Sequence, residues 1–177
     1  MNIEEFVALS KGEWHSMRSG HSLAFKQFEE IISKIKIDLI STEDPTIEEM
    51  LNASKYTKSE SKKPFKISWS SESNWEESQD EKLKRGECYL IPIPKSESDG
   101  QLIRSIGYAE RVPSLSNYKF LNDGTFFLRT KYDYTLTEER IWFASRTVRC
   151  RSSIIFSLQG NSILQTSFAS EVKLIKG

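Results

Sequence analysis

The chain has 177 residues, 37% of them hydrophobic and 11% aromatic, enough apolar material for one domain with its own core and too little for two. Lys plus Arg and Asp plus Glu each total 25, so the formal net charge is zero and no global field draws the chain to nucleic acid or to an anionic membrane. Two cysteines, Cys88 and Cys150, without a CxxC, and two histidines, His15 and His21, give neither a disulfide framework nor a zinc cage, so free thiols and no metal are expected.

The opening "MNIEEFVALSKGEW" is acidic where a signal peptide is basic, and no apolar run approaches the roughly 18 residues of a membrane span. A soluble, cytoplasmic protein is expected, or a stromal one in a plastid. Ile3, Phe6, Val7 and Leu9 fall near helical spacing, with Gly12 as a stop, and predict a short N-terminal helix over 2–11. From Ser16 the texture alternates. "SMRSGHSLAF" and "IISKIKIDLI" read as two strands joined through "KQFEE", the second with Ile31, Ser33, Ile35, Ile37 and Leu39 on one side and Ile32, Lys34, Lys36 and Asp38 on the other. In "STEDPTIEEMLNAS", Asp44 can cap a second short helix with Pro45 at its first position and Glu48 near capping-box spacing.

"KYTKSESKKP" is polar and reads as a mobile loop. Strands are then predicted over Phe65–Ser71, Glu87–Ile93, Gln101–Glu110, Ser116–Leu121, Thr125–Tyr134, Thr137–Ser145, Val148–Leu158 and Ser162–Lys173, about ten in all with the first two. "NDGT" at Asn122 to Thr125 is the best hairpin signal, since Asp-Gly tolerates the positive φ of a tight turn. Sequential short strands with few helices predict a mainly β protein, an up-and-down antiparallel barrel in a single domain over 1–177.

No GxxxxGK, GxGxxG, HExxH or GxSxG is present, so nucleotide hydrolysis, nicotinamide chemistry, zinc proteolysis and the common serine hydrolase layout lack their signatures. The barrel interior remains, as a place for one small apolar or amphipathic molecule. Period two in "EERIWFASRTVRCRSSIIF" puts Arg149, Arg151 and Ser153 on one face of a strand and Val148, Cys150 and Ser152 on the other. The strand before it puts Glu139, Ile141 and Phe143 on one face and Arg140, Trp142 and Ala144 on the other. The arginine face has two readings. The usual polar-out alternation of antiparallel sheets makes it solvated; inside a barrel, the charges need a ligand. On the same logic Arg18 reads as a surface charge, and Trp69 and Trp75 as core filler. Cys150 reads as packed, and Cys88 begins a strand with no base fixed beside it.

"GEWHSMRSGHSLAF", "GYAE" at Gly107 to Glu110, "EERIWFASRTVRCRSS" and "SFASEVKL" together resemble the S-type phycobiliprotein chromophore lyases of cyanobacteria, red algae and cryptophytes, over nearly the full length. Two positions depart from that pattern: Ser22 stands where the family often has a second histidine, and Arg146 where it has a proline. The resemblance implies a ten-stranded barrel of lipocalin and fatty-acid-binding type with an added helix. It implies a lyase that takes up a free bilin as substrate, holds no permanent cofactor, and delivers the bilin to a phycobiliprotein cysteine as a thioether. Carried over, it gives Glu139 to the tetrapyrrole nitrogens, Arg149 and Arg151 to the propionates or ring carbonyls, and Ser153 to a supporting contact. It gives Trp69, Trp75 and Trp142 to the pocket or its support, and adds Arg18 and Glu171. A homodimer is also implied. The Ile, Lys and Ser richness, with only 8 glycines, suits an AT-rich genome such as that of a marine cyanobacterium or its virus, which favours phycoerythrobilin over phycocyanobilin and a phycoerythrin β subunit as acceptor. A bilin carrier without site-selective transfer and a fatty-acid-type binding protein are the alternatives.

Overall fold

The computed structural model describes residues 1–72, 85–105, 113–160 and 162–175. A short helix, α1 (Ile3–Ser10), leads into β1 (Gly12–Ser22) and β2 (Gln27–Leu39), and α2 (Pro45–Ala53) and a 3-10 turn (Lys58–Glu60) separate these from β3 (Phe65–Glu72) and β4 (Arg85–Pro94). The chain continues through β5 (Asp99–Arg104), β6 (Ser114–Phe120), β7 (Phe126–Lys131), β8 (Thr135–Phe143), β9 (Val148–Ser157) and β10 (Ile163–Lys173). All ten strands close into one antiparallel barrel in which sequence neighbours pair and β1 closes on β10. Closure removes the two edges that an open sheet of such strands would expose.

Register then sorts every side chain. In β2 the predicted split holds, because Ile35 and Ile37 pack in the core while Lys34 and Lys36 lie on the outer face. One end of the interior is apolar: Trp14, Ile37, Phe65, Leu102, Tyr118 and Phe126 meet there. α1 seals that end. Its cap is a full capping box, in which the Asn2 side chain accepts from the Glu5 amide and the Glu5 carboxylate accepts from the Asn2 amide, both at 3.0 Å. The helix so fixed drives Ile3, Phe6 and Val7 into the barrel, where the Phe6 ring stacks on Phe126 at 4.3 Å and meets Phe120 and Phe143 edgewise. Trp14 ties strand to helix by donating its indole N–H to the Ser10 carbonyl at 2.8 Å.

α2 packs outside the barrel, with Ile47, Met50 and Leu51 against the outward Ile91, Ile93 and Ile103 of β4 and β5. Asp44 caps it through the Thr46 amide at 2.9 Å, and Pro45 stands first, as predicted. Several boundaries differ from the sequence reading. β1 begins at Gly12, and the β1–β2 turn is 23–26, because pairing runs out to Ser22 with Gln27, so all of "KQFEE" after Lys26 is already strand. The segment after α2 is held rather than free: Thr57 and Glu60 make a capping box, and the Lys62 amide donates to the Pro92 carbonyl at 3.0 Å. β5 ends at Arg104, short of the predicted Glu110, and residues 106–112 lie outside the described ones. "NDGT" turns as expected, with Gly124 at φ 82° and the Asp123 carboxylate accepting from the Thr125 amide at 2.9 Å.

Candidate functional site in the open half of the barrel

Above the apolar layer the interior turns polar. A cavity of about 330 Å³ lies between β1–β5 and β9, lined by Ser16, Arg18, Ser33, Arg104 and Arg151 together with Ile31, Ile67, Trp69 and Cys88. A groove of similar size, about 350 Å³, crosses the outer face near Glu13, Lys36, Ser70 and Arg85. Size does not separate the two; chemistry does, because the inner one combines cations, an indole and apolar walls in the manner of a small-molecule site.

The arginine face points inward, against the solvated reading. In register across three strands, Glu171 faces Arg149, which faces Phe143; Ala169 faces Arg151, which faces Ile141; Ser167 faces Ser153, which faces Glu139. The charge that makes this possible comes from β10. Glu171 is 0% exposed and accepts a short bond from Nε of Arg149, itself 5% exposed. Its other oxygen accepts from the Ser16 hydroxyl at 3.3 Å and lies 3.7 Å from Nη2 of Arg151. Burial pulls the Arg149 guanidinium below its ordinary value, against the opposing charge of Glu171. The same guanidinium lies 4.5 Å over the Trp14 ring, and Lys173 covers that ring at 4.8 Å while donating to the Leu9 carbonyl at 2.7 Å.

Toward the mouth, Ser153 and Ser167 share a hydrogen bond of 2.7 Å. Arg18 is internal rather than superficial and pairs at 3.0 Å with Glu29. Trp69 is 38% exposed and lines the cavity instead of filling the core. Its indole rests on Gly86, where a Cβ would stand 2.3 Å from the ring, so glycine is what lets the ring lie there. Trp142 is a correction: one residue from the inward Ile141, it lies on the outer face, its ring 6.1 Å from that of Phe168, and lines no part of this cavity. Cys150 shares that outer face and is half-buried, where a packed thiol was expected. Trp75 and the "GYAE" stretch lie outside the described residues. Both described thiols are free.

One residue was missed. Arg104 has the parity of Leu102 in β5 and enters the cavity, where its Nη1 donates to the Tyr132 hydroxyl at 3.3 Å. Burial alone would lower it, but the charge of Glu139, with Tyr132 and Cys88, holds it above its ordinary value. The pattern gave no signal: in "QLIR" Leu102 packs inside the barrel and Ile103 packs under α2, so both faces are apolar and nothing in the sequence shows which way Arg104 points.

The CpeS-like protein family profile matches residues 2–174. The chain belongs to the CpeS-like family. Among its relatives are chromophore lyase CpcS/CpeS 3 of Trichodesmium erythraeum (strain IMS101), 41% identical over 98% of this chain and 99% of that one. Chromophore lyase CpcS/CpeS 2 of Synechococcus sp. (strain JA-3-3Ab) is 37% identical over 98% and 90%. Among solved structures, the S-type phycobiliprotein lyase CPES from Guillardia theta superposes with a TM-score of 0.86 at 32% identity, covering all of this chain and 95% of the other. The lipocalin-type barrel expected from the resemblance is therefore the fold of this CpeS-like chain. Among the described residues no helix is long and apolar enough to cross a membrane, and no cluster of three or more potential metal ligands occurs.

Proposed function

We propose that the protein is a bilin lyase. It takes up a free bilin, phycoerythrobilin in preference to phycocyanobilin, in the open half of the barrel and delivers it in the cytoplasm to a cysteine of a phycobiliprotein subunit, phycoerythrin β being the favoured acceptor. The observation that supports this best is the meeting, in one half-open cavity, of Arg104 and Arg151, the Trp69 ring and, on the adjoining inner wall, Glu139. A bilin is a conjugated plate with two carboxylates and four ring nitrogens, and asks for cations, an aromatic wall and an acid together. A cavity of about 330 Å³ stands at the small end of ligand pockets. It holds part of a four-ring molecule and leaves an end ring outside, where a thiol of another protein can reach it.

In the transfer, the acceptor sulfur bonds to the ethylidene carbon of the end ring, the carbon–carbon double bond opens, and a proton is taken up at the adjoining ring carbon. Protonation of the tetrapyrrole makes the ethylidene more electrophilic, and the Glu139 carboxylate beside the nitrogens stabilises that protonated form. Arg149 acts at one remove: sealed against Glu171, it fixes the carboxylate that orients Arg151. The nucleophile belongs to the acceptor, so Cys88 and Cys150 are not required. A fatty-acid site is disfavoured by the deep end, where Phe6, Phe120 and Phe126 fill the room an alkyl tail needs.

The test mixes the protein with phycoerythrobilin and apo-phycoerythrin β and follows colour that survives denaturation on the acceptor. Site-specific attachment faster than the spontaneous reaction is expected. Glu139→Gln should alter the absorption of the bound pigment and slow transfer by about 10²-fold or more while binding changes less. An unaltered spectrum and rate would remove Glu139 from the chemistry. Pigment uptake with no transfer to any phycobiliprotein subunit would make the protein a carrier.

A further inference from the structure

The arginines that face the interior are not equivalent. Arg149 is closed off against Glu171, Arg18 is held by Glu29 at 3.0 Å, and Arg151 shares Glu171 at 3.7 Å. Arg104 differs from all of them. Among the described residues no carboxylate comes within ion-pairing distance of it; the Glu139 charge acts on it from beyond contact, and its near neighbours are the Tyr132 hydroxyl at 3.3 Å and the Cys88 thiol. A guanidinium on the wall of a half-buried cavity, without a counter-ion in contact, gains most from a ligand that brings an anion.

Its place in the ring matters as much. The strand order sets β5 directly across from β10, four strands from β1 in one direction and four from β9 in the other. Arg104 therefore faces, across one cavity, the wall that carries Arg18 and Arg151. Two cationic walls on opposite sides of a narrow space suit a ligand with two separated anionic arms, and a single carboxylate would leave one wall unanswered.

We propose that Arg104 binds one carboxylate of the pigment while Arg151, on the opposite wall, binds the other, so that the protein selects a dianionic open-chain tetrapyrrole over its esterified forms. This rests on the bilin reading above and adds to it the residue that reads the second arm. Arg149, spent on Glu171, is not that residue.

The experiment titrates phycoerythrobilin and its dimethyl ester, by absorption, into the wild-type protein, Arg104→Gln and Arg104→Lys. Arg104→Gln should bind the diacid about 10- to 100-fold more weakly and the diester within about twofold of wild type. Arg104→Lys, which keeps the charge but loses the fork, should fall between. Equal losses for diacid and diester in Arg104→Gln would make Arg104 a wall residue and overturn the proposal, as would an unchanged diacid affinity. If Arg104→Gln does not fold, Arg104→Lys decides alone: an unchanged preference for diacid over diester would overturn it. Failure of the wild-type protein to take up either pigment would instead overturn the bilin reading and the proposal with it, whereas wild-type uptake with an indifferent variant removes Arg104 alone.

Discussion

Glu171 carries more than its own charge. With Glu171 fully buried and Arg149 and Arg151 both directed at it, the carboxylate decides whether two guanidinium groups can stay inside the barrel. Glu171→Gln should therefore cost about 3–5 kcal/mol in urea unfolding, because it leaves Arg149 buried without a partner. Replacing both at once, Glu171→Leu with Arg149→Met, should recover most of that loss, since an apolar pair in the same space has no desolvation to offset; a double variant as unstable as the single one would mean the packing, not the charge, is what matters. The same residue explains why this face could not be assigned from local pattern. Parity correctly separated Arg149, Arg151 and Ser153 from Cys150, but parity leaves two solutions, arginines in or arginines out. What decides between them is a carboxylate 22 residues further on, and its partnership exists only once β9 and β10 are paired.

α1 is the element on which the closed end depends. Phe6 is 4% exposed and reaches three aromatic rings of the barrel, so Phe6→Ala should cost about 3–5 kcal/mol, read from the same unfolding curves. A loss below 1 kcal/mol would show that α1 rests on the barrel without sealing it. Both helices were legible in sequence because their signals are local: Ile3, Phe6, Val7 and Leu9 at helical spacing before Gly12, and Asp44 before Pro45. The β1–β2 turn was not legible. Its last residue, Lys26, takes φ 53°, a left-handed conformation that lysine does not advertise, and the turn is set by the long register between the strands rather than by its own residues. Trp142 was assigned to the pocket or its support through the family resemblance, although its own alternation with Ile141 already put it on the other face.

At the scale of the whole molecule the barrel is two vessels joined end to end, one filled with side chains and one open. Tyr118 belongs to the filled half, and its buried hydroxyl has no hydrogen-bond partner among the described residues. Burial, aided by the charge of Asp99, pushes its pKa from 10.0 up to about 12. Below pH 10 both folded and unfolded chains keep this phenol neutral and the full stability is present; between pH 10 and about 12 only the unfolded chain ionises it, so stability falls. Alkaline difference spectra should show one tyrosine titrating last, and Tyr118→Phe should remove that late step and flatten the loss. The strands and the closed topology were legible because they repeat a simple alternation; the division of the interior was not, since it arises from which strands stand opposite one another. That division has a kinetic meaning. With α1 and its aromatic layer filling one end, a molecule held in the other half as proposed above has no passage along the barrel axis through that end. The part of it lodged deepest is then the last to reach a partner.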